Sequence, residues 1–184
     1  ESVIVNTHYH YNQVELFLKK QNFRKIEVNS FYEKELLGTA GTLRSNKDFF
    51  KGALGLLIHA DNYTHFNLLE LIKAHRQRPN GSILTMLTFK SNQPKNCGIV
   101  QVNDKGIVID FQEKVESPIG NRANGAIYAF DQEFLTLLEN EFIHAKDFST
   151  EIIPNLIGKI YTLHTKEEFI DIGTPYALAK AQKL

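Results

Sequence analysis

Tryptophan is absent from this chain, and cysteine occurs once, as Cys97. A lone cysteine excludes an internal disulfide and fits a reducing compartment. No apolar run approaches the roughly 20 residues that span a bilayer, so no membrane helix is expected. Nor does a basic stretch followed by an apolar one open the chain, as a secretory signal would. Net charge is missing too. The 21 basic and 21 acidic side chains cancel, which argues against a nucleic-acid footprint built on bulk positive charge. A local phosphate site made from a few residues stays compatible with that balance. Low-complexity segments, internal repeats and linkers are also lacking. At 184 residues the expectation is a single domain, 1–184, large enough for a substantial core, and a cytoplasmic location with no membrane partner.

What is present centres on Leu54 to Asn62, which reads Leu-Gly-Leu-Leu-Ile-His-Ala-Asp-Asn. An unbroken apolar run is the pattern of a strand buried on both faces of a parallel sheet. It ends abruptly in Asp61 and Asn62. In open α/β sheets, ligands bind beyond the carboxyl ends of such strands. The alternative is that Asp61 and Asn62 only open a turn, since both residue types favour turns and helix starts.

Along the chain, Val3 to Val5 and Ile26 to Asn29 read as short strands around an apolar helical stripe of Val14, Leu16, Phe17 and Leu18. A helix is expected from about His65 to Arg78, ended by Pro79-Asn80-Gly81. Ile83 to Phe89 is a strand, and Gly98 to Val102 with Gly106 to Phe111 forms a hairpin about Asn103-Asp104-Lys105. Ala126 to Phe130 is a strand whose following helix Asp131 can cap. Ser149 or Thr150 can cap a short helix that contains Pro154. Strands at Ile160 to Leu163 and Phe169 to Ile172 precede a last helix, with Thr174 as cap and Pro175 at its first position. Strand–helix alternation first and a hairpin later suggest a mostly parallel sheet between helices, with antiparallel additions.

A second aspartate also follows an apolar stretch, in Phe169-Ile170-Asp171-Ile172-Gly173-Thr174. Magnesium is usually held by one or two carboxylates, with water and phosphate completing the octahedron. Asp61 and Asp171 could converge on one such ion, although carboxylate pairs arise by chance as well. His8, His10, His59, His65 and His75 show no metal-ligand spacing, and His59 reads as a hydrogen-bonded core residue.

Seven motifs occur in order: Glu33-Lys34-Glu35-Leu36-Leu37-Gly38-Thr39-Ala40-Gly41, His59-Ala60-Asp61-Asn62, Cys97-Gly98-Ile99-Val100, Phe111-Gln112-Glu113-Lys114, Asn124-Gly125-Ala126-Ile127-Tyr128, Asp147-Phe148-Ser149-Thr150-Glu151 and Asp171-Ile172-Gly173-Thr174-Pro175. This ordered set resembles the sugar-phosphate nucleotidyltransferases, or nucleotide-sugar pyrophosphorylases, over essentially the whole chain. Its Leu-Gly-Thr-Ala-Gly form is most similar to the mannose-1-phosphate and heptose-1-phosphate guanylyltransferases.

The resemblance implies a Rossmann-like three-layer α/β sandwich with a mixed, mostly parallel central sheet. It also implies a reaction: a sugar 1-phosphate oxygen attacks the α-phosphorus of a nucleoside triphosphate, and a nucleotide sugar and pyrophosphate result. GTP as donor, a GDP-mannose or GDP-heptose type of product and a role in polysaccharide assembly follow from the same likeness. By the family pattern, Asp61 and Asp171 bind Mg²⁺. Gly38, Thr39, Ala40 and Gly41 face the base, and Glu33 reads it, with Glu35 as a competing candidate. Gly98 meets the sugar through its backbone, Glu113 takes sugar hydroxyls, Lys114 contacts phosphate, and Asn124 faces the sugar. Asp61, Lys114 and Asp171 are thus the expected catalytic set. Glu151 either occupies a motif position or caps a helix. On residues alone, Glu113-Lys114 reads as an ordinary surface pair.

One departure is large. The family opens with a strand and a Gly-rich loop whose arginine cradles the triphosphate, and then a lysine. Before Glu33 this chain offers only Lys19, Lys20, Arg24 and Lys25, and Val3-Ile4-Val5-Asn6 resembles the family's second strand. The expectation is a piece of a longer protein, lacking its first strand and inactive alone. Two rivals to a nucleotidyltransferase remain: a non-catalytic nucleotidyltransferase-like subunit that binds nucleotide or sugar phosphate, and a glycosyltransferase. The latter commonly carries Asp-x-Asp, where this chain has Asp61-Asn62-Tyr63. The sugar is not readable, and assembly state is open, a homo-oligomer included.

Overall fold

The computed structural model describes residues 1–184. Its regular elements are β1 (Ser2–Thr7), α1 (Tyr11–Lys20), β2 (Glu27–Tyr32), α2 (Gly38–Ser45), β3 (Gly55–Ile58), β4 (Asn62–Thr64), α3 (Leu68–Arg76) and β5 (Leu84–Lys90), then β6 (Gly98–Val102), β7 (Val108–Glu113), β8 (Arg122–Phe130), α4 (Gln132–Asn140), β9 (Ile160–His164), β10 (Phe169–Asp171) and α5 (Pro175–Ala181). No helix is long and apolar enough to cross a membrane.

Strand β8 is the hub of a six-stranded sheet ordered β7-β6-β8-β5-β9, with β3 also on β8. One edge of β8 pairs with β5. The other meets β6 near Ala123 and β3 from Ile127 to Phe130. Successive strand residues point to opposite faces, and β8 uses both. Tyr128 and Phe130 join Phe134, Leu135 and Leu138 of α4 in the larger core cluster. Ile127 and Ala129 join Leu71 of α3 in the smaller one. Helices on both faces give the expected three-layer α/β class.

The pairing differs from the mostly parallel expectation. Only β1–β2 and β5–β9 run parallel, while β8 is antiparallel to β3, β5 and β6. An apolar run does not reveal strand direction, and β8, which sets it here, lies far away in sequence. Strand β3, read as buried on both faces, pairs with β8 alone and leaves Ile58 42% exposed. Strands β1 and β2 form their own sheet, and α1 between them buries no residue, so its apolar stripe is not a core face.

Helix α3 begins later than expected. The Thr64 hydroxyl accepts the Phe66 N–H and the Asn67 side chain accepts that of Leu69, each at 3.1 Å. These bonds hold the chain in a turn before the helix. The hairpin of β6 and β7 forms as expected, its turn closed by Asn103, whose side chain accepts the N–H groups of Lys105 and Ile107. Asp131 and Thr174 cap α4 and α5 as anticipated. Asp147, rather than Ser149 or Thr150, caps the segment before Pro154. That segment winds as a wide turn and then a tight one, because Pro154 has no N–H to continue a regular helix.

Candidate active site

The first group of site residues lies where β4 meets β10. Asn62 pairs with Asp171, and the Asp61 carbonyl accepts the Ile172 N–H at 2.7 Å. These backbone bonds bring the two aspartates together across 110 residues of sequence. A Cβ on Gly173 would stand 2.9 Å from Asp171 Oδ1 and 3.6 Å from Asp61 Oδ2. Both carboxylates therefore flank one point, and Asp171 Oδ1 is steadied by the Gly173 N–H at 2.8 Å. Two hard oxygen donors on one side of an open position suit Mg²⁺.

Asn62 anchors this corner to β8 by donating to the Gly125 carbonyl at 2.7 Å. Here β8 is kinked, with Ala126 at φ +49°, and the Ala126 carbonyl accepts the His59 N–H. His59 is not the hydrogen-bonded residue expected, since its buried Nε2 has no partner.

The second group gathers on the other side of that kink. Gly98 of β6 pairs with Glu113 of β7, and a Cβ at Gly98 would meet Glu113 Oε2 at 2.6 Å. The bare glycine leaves room for the carboxyl to fold over it. Burial pushes the Glu113 carboxyl above its ordinary range, Lys114 pulls it back, and Asp147 adds to the rise. Lys114 sits in the left-handed region at φ +49° with its ammonium 3.8 Å from Glu113. Asn124 donates to the Tyr128 hydroxyl at 2.7 Å and accepts the Ala126 N–H at 2.9 Å. Burial drives the Tyr128 hydroxyl strongly upward, against its hydrogen bond with Asn124.

Tyr128 therefore belongs to this group, and the Phe148 ring, 4.6 Å from it, brings the segment from Asp147 to Ser149 alongside; sequence reasoning gave Tyr128 and Asp147 no role and read Ser149 only as a helix cap. A signal existed for Tyr128, which lies four residues after Asn124 in one strand and shares its face.

The third group is built on Gly38, Thr39 and Ala40, which form the first turn of α2 rather than an open loop. Glu33 is 2% exposed. One carboxylate oxygen accepts the Leu37 N–H at 3.1 Å and the other accepts the Thr42 hydroxyl. The carboxylate thus braces the segment it was expected to assist in reading a base. Lys146 accepts the Ala40 N–H at 2.9 Å, and Thr39 accepts the Phe148 N–H at 2.8 Å. Arg44 fastens the far end of the helix to the carbonyls of Phe142 and Ala145.

Shared backbone thus links the three groups. Asn124 and Gly125 are adjacent between the first and second, and Lys146 to Ser149 runs between the second and third.

The chain is 26% identical over 178 residues to the mannose-1-phosphate guanylyltransferase catalytic subunit beta of Drosophila pseudoobscura pseudoobscura, covering 94% of this chain and 47% of that protein. It is 25% identical over 154 residues to a glucose-1-phosphate adenylyltransferase of Clostridium acetobutylicum, covering 78% of this chain and 40% of the relative. It therefore spans less than half of these relatives. Among solved structures, HddC from Yersinia pseudotuberculosis superposes with a TM-score of 0.79 at 21% identity, over 99% of this chain and 77% of that one. A family model described as Nucleotidyl transferase matches residues 1–184. With its whole length so matched, the chain belongs to the nucleotidyl transferase family.

Proposed function

We propose that this protein transfers a nucleotidyl group from a nucleoside triphosphate to a sugar 1-phosphate, releasing pyrophosphate. The observation that carries this reading is the pair Asp61 and Asp171, which flank one point beside Gly173 in a chain matched end to end by the family model. Such chemistry asks for in-line positioning and neutralisation of developing charge, not for covalent participation.

Asp61 and Asp171 would hold Mg²⁺, which supplies positive charge to the phosphates when bound. Glu113 and Asn124 take sugar hydroxyls beside Gly98. Lys114 brings a cation to the sugar phosphate. The turn from Gly38 to Ala40 receives the base. GTP is the favoured donor, because guanylyltransferases recur among the relatives and an HddC structure is described as complexed with GMP-PN. A GDP-mannose or GDP-heptose type of product for polysaccharide assembly, made in the cytoplasm, follows from that donor and those relatives.

The test is pyrophosphate release by the protein in its natural full length. GTP, ATP and UTP are each paired with mannose, heptose and glucose 1-phosphates in the presence of Mg²⁺. Release is expected, fastest with GTP. No release from any pair would overturn the reading and leave a binding subunit.

A further inference from the structure

Glu151 has an arrangement that its place in the motif does not explain. A single carboxylate oxygen, Oε2, accepts the backbone N–H groups of both Lys146 and Asp147, at 2.5 and 2.7 Å. Asp147 reciprocates toward the following turn, its Oδ1 accepting the Thr150 N–H and hydroxyl at 2.7 and 2.8 Å. The two backbone donors hold the Glu151 carboxyl below its ordinary range, so it is ionised and accepting at neutral pH. This pins the short turn between Ala145 and Phe148. That turn is where two distant parts of the site meet. The Lys146 carbonyl holds the Ala40 N–H, and the Phe148 N–H is held by Thr39. Phe148 itself packs its ring 4.6 Å from that of Tyr128, to whose hydroxyl Asn124 donates.

We propose that Glu151 is a positioning residue that staples the nucleotide-side turn at Thr39 and Ala40 to the sugar-side group that Phe148 meets at Tyr128, so that both substrate sites are set by one turn. The naming of the two sides rests on the function proposed above; the staple itself does not. Because one oxygen serves both donors, a neutral amide oxygen can replace it. A role in metal binding or proton transfer could not be so replaced.

Two variants, Glu151→Gln and Glu151→Ala, separate the cases. In Glu151→Ala, amide hydrogen exchange at Ala40 and Phe148 is expected to quicken by about tenfold, the scale of one lost charged hydrogen bond. This measurement needs no substrate. Unchanged exchange at Ala40 would overturn the staple whatever the protein's activity. In the full-length enzyme, Glu151→Ala is expected to raise KM for nucleotide and for sugar 1-phosphate together, and Glu151→Gln to restore both to within about twofold. Glutamine as damaging as alanine, an effect on one substrate only, or a lowered Tm with unchanged kinetics would each overturn the proposal. Wild-type protein without pyrophosphate release, but with quickened exchange in the alanine variant, would sink the function and leave the staple standing.

Discussion

The Lys146 carbonyl accepts the backbone N–H of Ala40 at 2.9 Å, and a Cβ placed on Gly38 would collide with that same oxygen. Gly38 also has φ +75°. The missing side chain is therefore required by a contact within the protein. Gly38→Ala must bear a left-handed backbone, about 1–2 kcal/mol, and weaken a hydrogen bond, about 1 kcal/mol. Gly81 separates the two costs, since it has φ +86° with nothing within 4 Å of its Cβ position. Calorimetry should find Tm lowered by about 6 °C in Gly38→Ala and about half that in Gly81→Ala. Equal losses would show that the contact with Lys146 is not the constraint.

Glu33 gives a sharper test of base recognition. Its two oxygens are occupied by Leu37 and Thr42. In Glu33→Gln the amide oxygen can keep the Leu37 N–H, and the Thr42 hydroxyl can turn to accept from the amide NH₂. The glutamine variant should keep the wild-type order of preference among GTP, ATP and UTP. Glu33→Ala leaves the Leu37 N–H unpaired, at a cost of about 1–3 kcal/mol, and should weaken all three nucleotides alike. A changed order in Glu33→Gln, read as kcat/KM for each nucleotide, would return the carboxylate to the base.

The difference between Glu33 and Asp61 marks what the sequence makes legible. Asp61 and Asp171 each follow an apolar run, and that local pattern made them candidates to which the family resemblance gave a role; their convergence needed the β4–β10 pairing, which no local pattern encodes. Glu33 was selected from its motif, but whether its carboxylate turns outward or inward depends on Thr42 and Leu37 closing over it. Caps were readable at Asp131 and Thr174, because a cap is a contact between near neighbours. The sheet was less so. An unbroken apolar stretch such as Leu54–Ile58 reports burial but not whether the strand is central or at an edge, and the antiparallel hub β8 is specified by contacts with three strands far apart in the chain.

Asp61 and Asp171 should be separable from folding. The backbone bond between Asp61 and Ile172 does not use a side chain, and Asp171→Asn keeps an oxygen for the Gly173 N–H. Asp61→Asn and Asp171→Asn should therefore melt within a degree or two of wild type. Each should lower pyrophosphate release on the order of a hundredfold, the scale of losing one electrostatic contact to a transition state, and raise the Mg²⁺ concentration giving half-maximal rate. A wild-type rate in either variant would remove that aspartate from the metal pair.

His75 makes stability depend on acid in a predictable direction. It is 1% exposed, its Nδ1 lies 2.8 Å from the Thr85 hydroxyl and its Nε2 3.5 Å from Asp131 Oδ2. Arg78 already donates to that Asp131 oxygen at 2.6 Å. Burial, and then the Arg78 charge, lower the His75 pKa from 6.5 to about 4 against the pull of Asp131. The unfolded chain therefore binds a proton below pH 6.5 that the folded chain refuses until about pH 4. Folding stability from this residue is intact above pH 6.5 and falls as pH drops through that window. The slope approaches about 1.4 kcal/mol per pH unit and the total about 3 kcal/mol. Other carboxylates titrate at the acid end, so the comparison is with His75→Asn, which keeps a polar group facing Thr85. Urea unfolding at pH 7, 6, 5 and 4 should show wild type losing stability faster than the variant from pH 6.5 downward. Parallel pH profiles for the two proteins would show that His75 is not held neutral in the fold.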